Sequence, residues 1–190
     1  IVSQIERDIR VRRQAVVRCA ITRRRDELGN DVHAFALHVR VQRKIEDGVP
    51  LRVLTRISVN VAGKSREVSL GRVQLEGSVP LAINADLPVR LDDAGELRMQ
   101  VRAGSYRVDL LSRLVGSPEA LSNPKRPAPW PEHELWIFEA DESLRQVRVE
   151  GAPAIDPARY EVEREWQGLP AYLLEQGAQL TLTTLRRGEA

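Results

Sequence analysis

An all-β fold, an antiparallel β-sandwich with a smaller packed β-rich C-terminal unit and little helix, is what this sequence predicts. Three observations carry that expectation. Apolar residues recur at every second position through most of the first 115 residues, short clusters of Gly, Asn, Asp and Pro punctuate them, and helix-period stripes break wherever they are tried.

The alternation begins at Ile9, Val11, Ala15, Val17, Cys19 and Ile21, against Arg10, Arg12, Gln14 and Arg18. A helix through the same residues would place Arg12 and Arg13 inside its apolar stripe, so a strand fits better. The turn Asp26–Asp31 leads to a second strand, with Phe35, Leu37, Val39 and Val41 on one face. After Asp47-Gly48-Val49-Pro50 a third strand sets Leu51, Val53, Thr55, Ile57, Val59 and Val61 against Arg52, Arg56, Ser58 and Asn60. Val68 to Leu70 follows, with Gly71 as an expected bulge before Val73 and Leu75. Strands at 87–91 and 97–101 flank the turn Asp92-Asp93-Ala94-Gly95, and Tyr106 to Leu110 continues the series.

The pattern stops at Gly116. Pro124, Pro127, Pro129 and Pro131 cannot donate to a ladder or sit inside a helix, so 116–130 reads as a crossing segment. It separates a sandwich over 1–115 from a smaller β-rich unit over 131–190. That unit holds strands at 134–139 and 144–150, and a hairpin of 171–175 with 179–186 around Gln176-Gly177. Asp156-Pro157 signals one short helix, anchored by Val162 and Trp166.

Composition narrows the class. An apolar fraction of 42% with 29% charged residues describes a globular chain and excludes a disordered one. The longest uncharged apolar-rich run, Gly77 to Ala85, is far short of the roughly 18 to 20 residues a membrane helix needs, so no transmembrane segment is expected. The first residue is Ile1, which suits a segment of a larger protein. Cys19 has no second cysteine to pair with and reads as a buried structural thiol. Arg outnumbers Lys by 26 to 3, a bias that codon supply in a GC-rich bacterial genome explains.

Residues Asp92, Asp93, Gly95, Leu97, Met99, Val101, Gly104, Tyr106, Val108 and Leu110 form an acidic turn, an alternating strand, Gly-x-Tyr and a second strand. This stretch, 87–110, resembles prealbumin-like modules such as carboxypeptidase regulatory-like domains. The resemblance implies a small accessory sandwich, usually without catalysis and often attached to envelope or secreted proteins. It assigns no functional residue.

No catalytic residue, metal site or cofactor is predicted. His33 and His38 point to opposite faces of one strand, and His133 has no neighbour at ligand spacing. A nucleophile elbow and a phosphate-cradling glycine loop are missing from the sequence. Two surfaces are candidates for binding. Arg10, Arg12, Arg18 and Arg24 share one parity in a stretch where residues 1–25 carry eight Arg against Glu6 and Asp8. Such a stripe suits an anionic partner, although without interleaved aromatics it does not suit specific nucleic-acid binding. In the second, Trp130, Glu132, Glu134 and Trp136 fall on one face of an extended chain, with Pro129 and Pro131 holding Trp130 out of a regular core position. Indole faces beside carboxylates are what a sugar-binding surface requires. The competing reading makes Trp130 a plug between the two β units and puts Trp136 and Phe138 in the core.

The expected role is therefore a non-catalytic interaction or structural module of a larger bacterial, cell-envelope-associated protein. Its partners would be other domains of the parent chain, or a protein or glycan. Carbohydrate binding at Trp130–Trp136 and anionic-partner binding through the Arg face are the alternatives.

Overall fold

A computed structural model describes residues 24–25, 31–32 and 35–187. The described elements are strands β1 (Arg24–Arg25), β2 (Asp31–Val32), β3 (Ala36–Glu46), β4 (Arg52–Ala62), β5 (Arg66–Arg72), β6 (Ser78–Ala85), β7 (Val89–Leu91) and β8 (Glu96–Val101). The chain continues with β9 (Gly104–Leu114), β10 (Ala120–Ser122), β11 (His133–Glu139), β12 (Arg145–Glu150), β13 (Ala154–Ile155), β14 (Ala171–Glu175) and β15 (Gln179–Arg187). Two single turns of 3-10 helix, Pro157–Arg159 and Arg164–Trp166, lie between β13 and β14. The fold is all-β. Among the described residues no helix is long and apolar enough to cross a membrane.

A seven-stranded sheet in the order β13-β14-β11-β3-β4-β9-β6 forms the base. Its inner face carries two smaller sheets, β5-β8-β7 and β10-β15-β12. Each cover closes its own core, because strand alternation sends one residue in two inward. Under β5-β8-β7, Val39, Val41, Ile57, Val59, Val108 and Leu110 of the base meet Leu70, Leu97, Met99 and Val101. Under β10-β15-β12, Ile45, Val53, Leu114, Trp136 and Phe138 meet Leu121, Leu180 and Leu182. On the outer face, Trp166, Val162 and Leu169 cover Leu135, Ile137 and Ala171.

Several local expectations match. The bulge at Gly71 is present as a register shift between Ser69 and Arg72, with Gly71 at φ 67°. Asp156 caps its turn by accepting from the Ala158 N–H at 3.0 Å. That turn stays 3-10 and three residues long, since Tyr160 leaves it in an extended conformation; the single helix expected through Val162 and Trp166 is therefore not formed, and Trp166 belongs to the separate turn Arg164–Trp166.

The pairing between strands departs from the expectation in four places. The run Gly77–Ala85, noticed only for its lack of charge, forms strand β6 at one end of the base sheet. The crossing segment contributes β10, which pairs with β15 because Ala120–Ser122 falls in the proline-free stretch between Pro118 and Pro124. Residues 171–175 and 179–187 are no hairpin: β14 pairs with β11 and β13, while β15 pairs with β10 and β12. Finally, β11 runs parallel to β3, with Trp136 opposite Arg43, so the sandwich is not wholly antiparallel. Through that pair, strands from either side of 116–130 share one continuous sheet.

Candidate functional site

The two covers meet over a row of polar side chains that keep the inward phase of their strands. On β3, Arg43 follows Val39 and Val41 and precedes Ile45; on β4, Thr55 stands directly opposite it. Glu134 on β11 and Ser112 on β9 complete the row, and all four are buried. Isolated charges in such a place would be prohibitive, so Arg43 and Glu134 must be paired and hydrogen-bonded, whereas the uncharged Ser112 hydroxyl is buried without a partner among the described residues.

Glu134 is the node. Its Oε2 accepts from Arg43 Nε at 2.6 Å and from the Trp136 indole N–H at 2.8 Å. Its Oε1 accepts from the Trp130 indole N–H at 2.8 Å and from Arg126 Nη1 at 3.3 Å. Arg43 also donates to Thr55 Oγ1 at 2.7 Å and to the Val73 carbonyl at 3.1 Å. Arg126 reaches in from the proline segment and donates to the carbonyls of Arg72 and Gln74 at 3.0 and 3.4 Å. Its guanidinium lies 4.5 Å from the centre of the Trp130 ring. Asn123 of the same segment donates to the carbonyls of Leu174 and Glu175 on β14. The cluster thus ties the base sheet, the end of β5 and the proline segment at one point.

Its electrostatics follow from that geometry. Burial alone pushes the Glu134 carboxyl up, but Arg43, Arg126 and the Trp130 N–H together hold it below its ordinary value. Burial, reinforced by the neighbouring charge of Arg43, lowers Arg126 to about 10. Two guanidiniums share one carboxylate, and the carbonyls of 72–74, Thr55 Oγ1 and Asn123 Oδ1 accept from their other N–H groups. Such a carboxylate has no free lone pair and no open face from which to bind or protonate a substrate.

The exposed binding patch expected at Trp130 is thereby corrected. Trp130 is 5% exposed, and Glu134 and Trp136 are fully buried. Nor is the chain extended there: residues 128–129 form a turn closed by the Trp130 N–H, which donates to the Pro127 carbonyl at 3.1 Å, and this turn aims the indole inward at Glu134. Only Glu132 is at the surface, just ahead of β11. Of the basic stripe, Arg10, Arg12 and Arg18 lie outside the described residues, as does Cys19. Arg24 is in β1, its side chain outside the description. Thr55 already stands on the apolar face of its strand in the sequence pattern, whereas Arg43, Asn123 and Arg126 are not among the sequence candidates, although an arginine in phase with Val39, Val41 and Ile45 is a readable signal of a buried ion pair.

Among the described residues no group of three or more His, Cys, Asp or Glu side chains could hold a metal ion. One concavity of about 410 Å³ among the described residues is an open depression over β7 and β8 lined by Glu67, Arg90, Asp92 and Arg98.

An all-β module built around a saturated ionic junction is the class that fold and site define. No family model matches the sequence, and no curated protein does. Among solved structures the chain is similar to a two-domain M1 zinc metallopeptidase mutant bound to L-tryptophan, at 13% identity and a TM-score of 0.40. That match covers 80% of this chain and 44% of the other. The M1 zinc metallopeptidase from Deinococcus radiodurans and a mutant of it give TM-scores of 0.36 and 0.35, again at 13% identity. Each covers 79% of this chain and 42% of the neighbour. The chain thus spans less than half the length of these structures, and likeness at this level says nothing of activity.

Proposed function

We propose that this chain is a non-catalytic interaction or structural β-module. One observation carries the reading. Glu134, the carboxylate best placed among aromatic side chains, is fully buried and spends both oxygens on Arg43, Arg126, Trp130 and Trp136. Its chemistry is consumed in holding sheets together, which favours a structural role over a sugar-acting one.

The test is direct. Purified chain is assayed against panels of chromogenic glycosides and peptides, and binding is measured against a glycan panel. No turnover is expected, and no glycan binding that depends on Glu132. Turnover abolished by Glu134→Gln with an unchanged melting temperature would overturn the reading.

A further inference from the structure

Among the described residues, strand β6 is an end strand of the base sheet, with β9 its one neighbour. Of eight large apolar side chains exposed among the described residues, three, Val79, Leu81 and Ile83, lie on it. A fourth, Val115, is held beside its start by a 3.0 Å bond from the Val115 N–H to the Gly77 carbonyl. From Gly77 to Ala85 the chain carries no charge.

Open edges are normally blunted with charge. The other sheets follow that rule: β5 carries Arg66, Glu67 and Arg72, β7 carries Arg90, and β12 carries Arg145, Arg148 and Glu150. The remaining described edges are short: β10 has three residues, and β1, β2 and β13 have two each. On β6 the protection is limited to Pro80 and the register shift between Pro80 and Ala82. Beyond them Ala82 to Ala85 is unguarded. The Asp86 N–H donates inward to the Arg107 carbonyl on β9 at 3.1 Å. By alternation the backbone groups of Ala85 and Ile83 therefore point to the open side.

We propose that β6 pairs antiparallel with β6 of a second copy across a two-fold axis, joining two base sheets edge to edge. This rests on the interaction-module reading above. Charge selects the occupant. A strand bearing ionic side chains would desolvate them against Leu81 and Ile83 without a counter-ion, whereas β6 itself is uncharged and of matching length. An isologous contact also covers both open edges in one step and closes the assembly. Centring the pair on Ile83 sets Leu81 opposite Ala85 and Ala82 opposite Asn84. Pro80, which lacks an N–H, then falls opposite Asp86, whose own N–H is already used.

Sedimentation equilibrium of the whole chain, over roughly 1 to 100 μM, reads the dimer. A monomer–dimer equilibrium is expected in that range. Leu81→Lys combined with Ile83→Lys should raise the dissociation constant about 100-fold or more through like-charge repulsion. The β circular dichroism should not change, since both side chains are exposed. In a Cys19→Ser background, Ile83→Cys should couple to itself through a short bis-maleimide, each thiol adding across one maleimide double bond, and Lys64→Cys, in the β4–β5 turn, should not. A chain monomeric throughout, a dimer that survives the two lysines, or equal coupling at both cysteines overturns the pairing. None of these touches the non-catalytic reading, which falls only to turnover.

Discussion

Two clusters on opposite faces of the base sheet are built from the same three side-chain types. The inner one is Arg43, Arg126 and Glu134 with Trp130 and Trp136. The outer one is Arg56, which holds Asp109 through two bonds of 2.8 Å, donates to Glu163 at 2.8 Å, and lies 4.6 Å from the centre of the Trp166 ring. Arg107 joins it through Glu163 at 3.4 Å, and Arg40 pairs with Glu161 nearby. The outer cluster fastens the 3-10 segment to the sheet in reach of water: Arg56 and Asp109 side chains are 12% and 16% exposed, and Glu163 47%. The inner one is dry. Identical chemistry therefore has different consequences, because water can replace a lost partner outside and cannot do so inside.

The largest expected effect is at the inner node. Glu134→Gln removes the charge facing two buried guanidiniums, and breaking a buried pair in this way costs about 3 to 5 kcal/mol, read as a lower urea midpoint. The acid limb should change with it. Glu134 titrates below its ordinary 4.5, so its stabilisation is complete above that pH and fades as pH falls through the lower folded value. Wild type should lose stability there more steeply than the Gln variant. An unchanged acid limb would mean that Glu134 is not charged in the folded protein.

Trp130→Ala comes next, at roughly 3 kcal/mol, since it removes a buried ring together with its bond to Glu134. A loss under about 1 kcal/mol would put the indole in solvent instead. The smallest effect belongs to the outer face. Asp109→Asn should cost about 1 kcal/mol or less, and the difference from wild type should shrink with added salt. Were it to rival Glu134→Gln, the contrast between a dry and a wet cluster would fail.

How much of this was legible differs from residue to residue. The parity of Leu51, Val53, Ile57, Val59 and Val61 exposes strand β4 directly, because the pleat sends every second side chain to one face. Gly71 marks its bulge for a similarly local reason. The same parity already held the inner site in outline, as Arg43 and Glu134 stand in inward phase. Their partnership was hidden, since they lie 91 residues apart and a single strand does not tell which distant strand will lie beside it. Strand β6 was obscured for another reason: with both its sides exposed at a sheet end, no core face imposes alternation.

What the sequence alone determined is the all-β class and the place of most strands, which follow from side-chain period and turn residues. Tertiary structure decided which layer each strand joins. A turn as short as Gln176–Ala178 serves equally for a hairpin and for a step between packed sheets, so β14 and β15 look paired in the sequence yet part company in the fold. It also decided that Trp130 points inward. Prolines fix the local backbone, but the direction of a side chain relative to the rest of the molecule depends on what stands across from it, and that is Glu134 on a strand made parallel to β3 by long-range contact.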